Sequence, residues 1–256
     1  MRRSKVTSAA AFALVLALAG CAHHAPVNSD VSAISPVAET GQLVLVTTPA
    51  WDSTSGTLRR YERSGAGSGW HVVGGAVQIV VGRTGLAWDD GMMPAASSGP
   101  VKREGDGRSP AGAFALDTVF GFPARDVMSW VRLPYVDIQP GTECVDDVGS
   151  AHYNTIVDRS RLGSVDWTSA EHMRRIDQYK LGVVVAYNAA PPRKGRGSCI
   201  FLHIWAGPQS VTAGCTAMDE RALEALVRWL DPSRRPMLVQ LPASEMTRLR
   251  GAWGLP

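Results

Sequence analysis

Apolar and β-branched residues fall in short runs along most of this chain, each bounded by glycine, proline, serine or asparagine. Five runs read as strands on that pattern: "LVLVTT" (43–48), "VQIVVG" (77–82), "GVVVAYN" (182–188), "CIFLHIW" (199–205) and "MLVQLP" (237–242). Two segments carry a helical period instead. In "TSAEHMRRIDQYK" (168–180), Thr168 and Glu171 have capping-box spacing and Met173, Ile176 and Tyr179 supply an apolar face. In "DERALEALVRWL" (219–230), Asp219 is the cap and Leu223, Leu226, Val227 and Leu230 form the stripe. The frequent glycines and prolines between runs suit long loops. The pattern predicts a mainly β domain with peripheral helices.

The N-terminus breaks this pattern. "MRRSKVTSAAAFALVLALAGC" has a basic start, an apolar run too short to span a bilayer comfortably, and small residues before Cys21. This reads as an export signal, and Leu18-Ala19-Gly20-Cys21 resembles the lipobox of bacterial lipoproteins, which implies lipidation at Cys21. Residues 1–20 are then the signal, and 21–40, rich in Ala, Ser, Pro and Val, a flexible tether with a reach of roughly 25 Å. Residues 41–245 form one domain, and 246–256 a C-terminal tail. The expected location is outside the cytoplasm, anchored in a membrane and facing the cell wall.

Composition excludes one class of partner. Twenty-six Lys and Arg stand against 23 Asp and Glu, a net charge of +3, and the basic residues are scattered. No basic stripe interleaved with aromatics is present, so nucleic acid is not expected to bind.

Cysteine use narrows the chemistry. With Cys21 assigned to lipid, Cys144, Cys199 and Cys215 remain, an odd number in an exported chain. Strand alternation puts Cys199, Phe201, His203 and Trp205 on one face and Ile200, Leu202 and Ile204 on the other. A Gly-Pro turn follows, and "VTAGC" brings the chain back to Cys215, just ahead of the Asp219 helix start, whose N-terminus could favour a thiolate. A thiol beside an imidazole that takes its proton is a competent nucleophile. A structural histidine and a buried cysteine are the competing reading of the same residues. Neither C-x-x-C nor H-x-x-x-H spacing occurs near His152, His203 and Cys215, so no metal or other cofactor is expected.

Four stretches together resemble the L,D-transpeptidase catalytic domain family, the YkuD-like domains: "KREGDGRSPAGAFAL" (102–116), "LPYVDIQPGTECVDDVGSAHYN" (133–154), "GSCIFLHI" (197–204) and "TAGCTAM" (212–218). The likeness is to the branch with a T-x-G-C motif. It implies a β-sandwich-like fold in which Cys215 attacks a carbonyl of a peptidoglycan stem peptide, His203 acts as base and then acid, and the amides of Gly214 and Cys215 receive the oxyanion. Thr212, Asp146, Asp147, Tyr153 and Asn188 are candidate substrate contacts; Asp146 and Asp147 read also as solvated turn residues, Tyr153 with Asn154 rather as organisers of that loop's backbone, and Asn188 equally as a turn residue. Residues 102–108 support the fold, and "SPAGAF" leads into a strand. Ala213 and Ala217 depart from the commoner branch, which has histidine and arginine there. A hydrolase on the same scaffold, an L,D-carboxypeptidase or amidase, is the alternative, and a non-catalytic envelope-binding lipoprotein a third reading. Finally, a bridge between Cys144 and Cys199 would leave Cys215 as the one free thiol; two buried thiols are the other possibility.

Overall fold

The computed structural model describes residues 35–94 and 97–256. The signal, Cys21 and all but the last residues of the expected tether lie outside the described residues.

The described chain runs through β1 (Gln42–Thr48), β2 (Ser55–Glu62), β3 (His71–Val80), β4 (Leu86–Trp88) and β5 (Ser109–Gly121). It continues through β6 (Tyr135–Asp137), β7 (Thr142–Val145), β8 (Ile156–Asp158) and β9 (Ala170–His172). After two single-turn 3-10 segments come β10 (Leu181–Val185), β11 (Phe201–Ile204), β12 (Thr216–Met218), α1 (Glu220–Trp229), β13 (Met237–Pro242) and α2 (Ala243–Trp253). The class is mainly β with peripheral helices.

Eight strands pair in the order β10-β11-β12-β3-β2-β1-β13-β5, and β5 pairs back onto β10, so the sandwich-like body is one closed hydrogen-bonded ring. Closure leaves few unpaired edges. The long strand β5 makes this possible: Gly112–Ala115 pair with β13, and Leu116–Gly121 continue along β10. Inside lies a core that includes Leu43, Val44, Leu116, Val183, Leu202, Leu238 and Val239, all at or near zero exposure. α1 covers this core with Leu223, Leu226 and Val227, and the side chain of Asp219 accepts the Arg221 N–H as its cap.

A separate three-stranded sheet, β8-β7-β9, is inserted between β6 and β10. A second apolar cluster is built from both sheets: Phe120, Phe201 and Cys215 on the ring, Cys144 on β7, with Met173, Tyr179 and Cys199. Gly182 is required here, because a Cβ at that position would come within 2.2 Å of the Phe120 ring.

The helix expected over 168–180 does not form. Thr168 gives its N–H and hydroxyl to Asp147 at 2.7 and 2.9 Å instead of capping, Ala170–His172 pair with β7, and two short 3-10 turns follow. Tertiary pairing with β7 outweighs the helical period. Two boundaries also shift. Val37 is fully buried, and the Arg63 guanidinium donates to the carbonyls of Thr40 and Ala38 at 2.7 and 2.6 Å, so the domain begins before residue 41. The expected tail is largely α2, with Leu249, Trp253 and Leu255 buried.

Candidate active site

Cys215 and His203 meet through the register of two parallel strands. His203 on β11 lies opposite Ala217 on β12, so Cys215, two residues earlier, shares the His203 face on the neighbouring strand. Phe201, Cys199 and Cys215 lie in the outer cluster while Ile200, Leu202 and Ile204 point into the core, as the alternation predicts.

The backbone at Cys215 is held hard. Its carbonyl accepts the Ser109 hydroxyl at 2.8 Å and the Thr212 hydroxyl at 2.6 Å, and Ser109 Oγ in turn accepts the Gly82 N–H. Gly214 fits because a Cβ would stand 3.1 Å from the Arg108 carbonyl and 3.3 Å from Ile200 Cδ1. The sulfur accepts the Phe201 N–H at 3.3 Å and directs its own proton to the Cys199 carbonyl at 3.4 Å. Burial, reinforced by the nearby Glu171 carboxylate, pushes this thiol well above its usual range, so it rests protonated. The three residues of β12 separate it from Asp219 and the start of α1.

His203 is also buried. Its Nδ1 lies 2.7 Å from the Ile204 carbonyl; a carbonyl only accepts, so Nδ1 carries the proton and Nε2 the lone pair. Burial lowers its pKa and keeps the ring neutral. The Tyr179 ring packs against it at 5.3 Å, near perpendicular.

Cys215 opens onto two cavities. One, of about 160 Å³, is polar and is lined by Arg83, Lys102, Glu104, Asp146 and Ser198. The other, of about 210 Å³, holds His203 with Tyr179, Trp205, Val211 and Ala217. Glu171 lines both. The Tyr179 hydroxyl donates to Glu171 Oε2 at 2.7 Å, and desolvation, with Asp146 and Glu104 adding repulsion, raises the Glu171 carboxyl to about 7.

Of the sequence candidates, Asp146 reaches the polar cavity, with Oδ1 buried and without a partner. Thr212 lines the cavity that holds His203, while Asp147, Tyr153 and Asn188 serve the loops. Asp147 accepts from Thr168 and Gly149, which hold its pKa below the usual carboxylate range. The Tyr153 hydroxyl donates to Glu104 and accepts the Gly197 N–H. Asn188 binds the Arg193 N–H and the carbonyls of Arg193 and Gly197. Thr212 Oγ1 also accepts the Gly214 N–H at 3.2 Å, so one of the two expected oxyanion donors is occupied within its own turn.

Cys144 and Cys199 form a disulfide, with Cα atoms 6.0 Å apart, and Cys215 is the free cysteine among the described residues. The bridge ties β7 to Cys199, two residues before β11, which has a φ of 56° and an N–H held by Asn154 Oδ1 at 2.9 Å. Glu171 and Tyr179 escape sequence reasoning because the helical period hides them; the β7–β9 pairing is what brings them to the thiol.

The closed β ring thus carries a thiol and an imidazole on one outer face, roofed by an inserted sheet. The family model for the YkuD L,D-transpeptidase catalytic domain matches residues 76–239, and the chain belongs to that family. No match is found among curated proteins or among solved structures.

Proposed function

We propose that this protein is a cysteine acyltransferase that acts on peptidoglycan stem peptides, with Cys215 as nucleophile and His203 as general base and acid. The observation that carries it is the position of Cys215: a free thiol at the junction of two cavities, diagonal to a neutral imidazole on the same sheet face. The neutral imidazole has Nε2 available for the thiol proton, and the Ile204 carbonyl stabilises the imidazolium that follows. Sulfur attacks the donor carbonyl, its electron pair forming the C–S bond as the amide C–N bond breaks. His203 returns the proton to the leaving amine. A second amine then attacks the thioester, releasing the thiol and giving a crosslinked or exchanged product. The resting thiol is protonated, so its proton moves when substrate arrives rather than before. Two cavities meeting at one sulfur suit a reaction with both a donor and an acceptor. We further propose that the domain works outside the cytoplasm, tethered through lipid at Cys21, which places it beside the wall.

Incubating the exported protein with purified muropeptides and a labelled D-amino acid, followed by mass spectrometry of the products, tests the reading. Label incorporated by the wild type and not by Cys215→Ala is expected. Shortened stems without label would instead make it a hydrolase.

A further inference from the structure

Glu171 has no part in that scheme, yet it borders both cavities and sits at the thiol. It is joined to Tyr179, whose ring packs against His203 and whose single hydroxyl proton is committed to Glu171 Oε2 at 2.7 Å. Tyr179 is itself wedged between Phe120 and Phe201, at 5.6 and 5.5 Å, so the ring cannot move far while its hydroxyl can rotate. Tyr179 and Cys215 also pack in the same apolar cluster and line the same cavity. A thiolate at Cys215 therefore meets a neighbouring carboxylate and competes with it for one donor.

We propose that Glu171 is a positioning residue that gates the nucleophile. Ionised, it holds the Tyr179 hydroxyl and opposes thiolate formation; neutralised by a proton or by a cationic group of the substrate, it releases that hydroxyl to the sulfur. No bond other than hydrogen bonds changes in the gate: the thiol proton still passes to His203, and the Tyr179 proton stays on its oxygen. The carboxyl of Glu171 titrates near neutrality, where such a gate has effect. The other charges facing it are Asp146 after β7 and Glu104 in the loop before β5, which oppose its ionisation. Of the two cations on the polar cavity, Lys102 is bound to Asp106 at 2.6 Å, and Arg83 turns to the Gly105 carbonyl at 3.4 Å. No salt bridge to Glu171 occurs among the described residues, which leaves its charge for a substrate to neutralise.

The inference rests on Cys215 being the nucleophile, but its test needs no turnover. The rate of iodoacetamide alkylation, read by mass spectrometry on the peptide containing Cys215, is followed from about pH 5.5 to 9.5 without substrate. Relative to wild type, Glu171→Gln is expected to move the profile down by about one pH unit, the scale of one neighbouring charge. Tyr179→Phe, which keeps the ring and removes the donor, is expected to move it up. A Glu171→Gln profile that superimposes on the wild type overturns the gate, since a merely structural carboxylate would leave thiol ionisation unmoved. If Glu171→Gln does not fold, Tyr179→Phe decides: an unmoved or lowered profile overturns the gate. Shifted profiles in a protein that transfers no acyl group would sink the proposed function and leave the gate standing.

Discussion

At the scale of single residues, the site sets two ionisable groups against their solution behaviour. Burial keeps His203 neutral, so its folded pKa lies below that of the unfolded chain, and stability is lost as pH falls through that interval. Glu171 works in the opposite sense. Its folded carboxyl binds protons up to about pH 7, above its ordinary value of 4.5, so the folded state holds more protons than the unfolded one in that window. Stability contributed by the protonated form is therefore lost as pH rises from 4.5 towards 7, by up to about 3 kcal/mol for a shift of this size. Glu171→Gln is expected to flatten this decline, so that denaturant midpoints of the variant at pH 5 and pH 8 differ less than those of the wild type. Equal pH dependence in both would contradict the assignment. Cys215→Ala should fold with little loss, because the side chain is small, while acyl transfer falls to background; near-wild-type turnover would remove Cys215 from its role.

At the scale of elements, the strand around His203 was legible from alternation alone, since burying Ile200, Leu202 and Ile204 inside the ring forces His203 outward. α1 was legible too, because its cap and stripe agree. The roof over the site was not. Thr168, Glu171, Met173 and Tyr179 have helical spacing, and only the pairing of β9 with β7 shows that they form a strand and two tight turns. β2, "SGTLRRYE", was hidden because it is largely polar, and α2 because few of its positions announce a buried face, although Leu249 and Trp253 are both enclosed. The disulfide fixes the roof to the histidine strand across 55 residues of chain. Cys144→Ser/Cys199→Ser should cost about 4 kcal/mol in the chain-entropy account, with hydrogen exchange rising first in β7–β9. Protection lost uniformly over the whole domain would argue against a local clamp. Gly182→Val drives a side chain into the Phe120 ring, and an overpacking cost of about 1–3 kcal/mol is expected in thermal melts.

At the scale of the whole molecule, the ring holds the thiol and the imidazole, and the insertion brings the groups that surround them. β11 carries the imidazole and the residue just before its parallel neighbour β12 carries the thiol, while β9 and the second of the two turns after it bring the carboxylate and the phenol. Family membership follows from the match over residues 76–239, and four sequence stretches already pointed to it. The particular arrangement of Glu171 and Tyr179 against Cys215 does not follow from those stretches and required the fold. α2 seals the far side: Trp253→Ala removes a buried ring and should cost about 3–5 kcal/mol in equilibrium unfolding, without moving the alkylation profile of Cys215, because the helix packs on β1 and β13 away from the site. A changed profile in that variant would mean that the site senses overall stability.

The central claim, that Cys215 carries the acyl group, is tested most directly by trapping the intermediate. Wild-type protein mixed with a stem tetrapeptide and quenched in acid should show, on the peptide containing "TAGC", the mass of a thioester-linked acyl group. His203→Ala should show little of it. An acyl adduct on any other residue, or product formation by the wild type with no adduct on Cys215 at any quench time and undiminished in Cys215→Ala, would contradict the account.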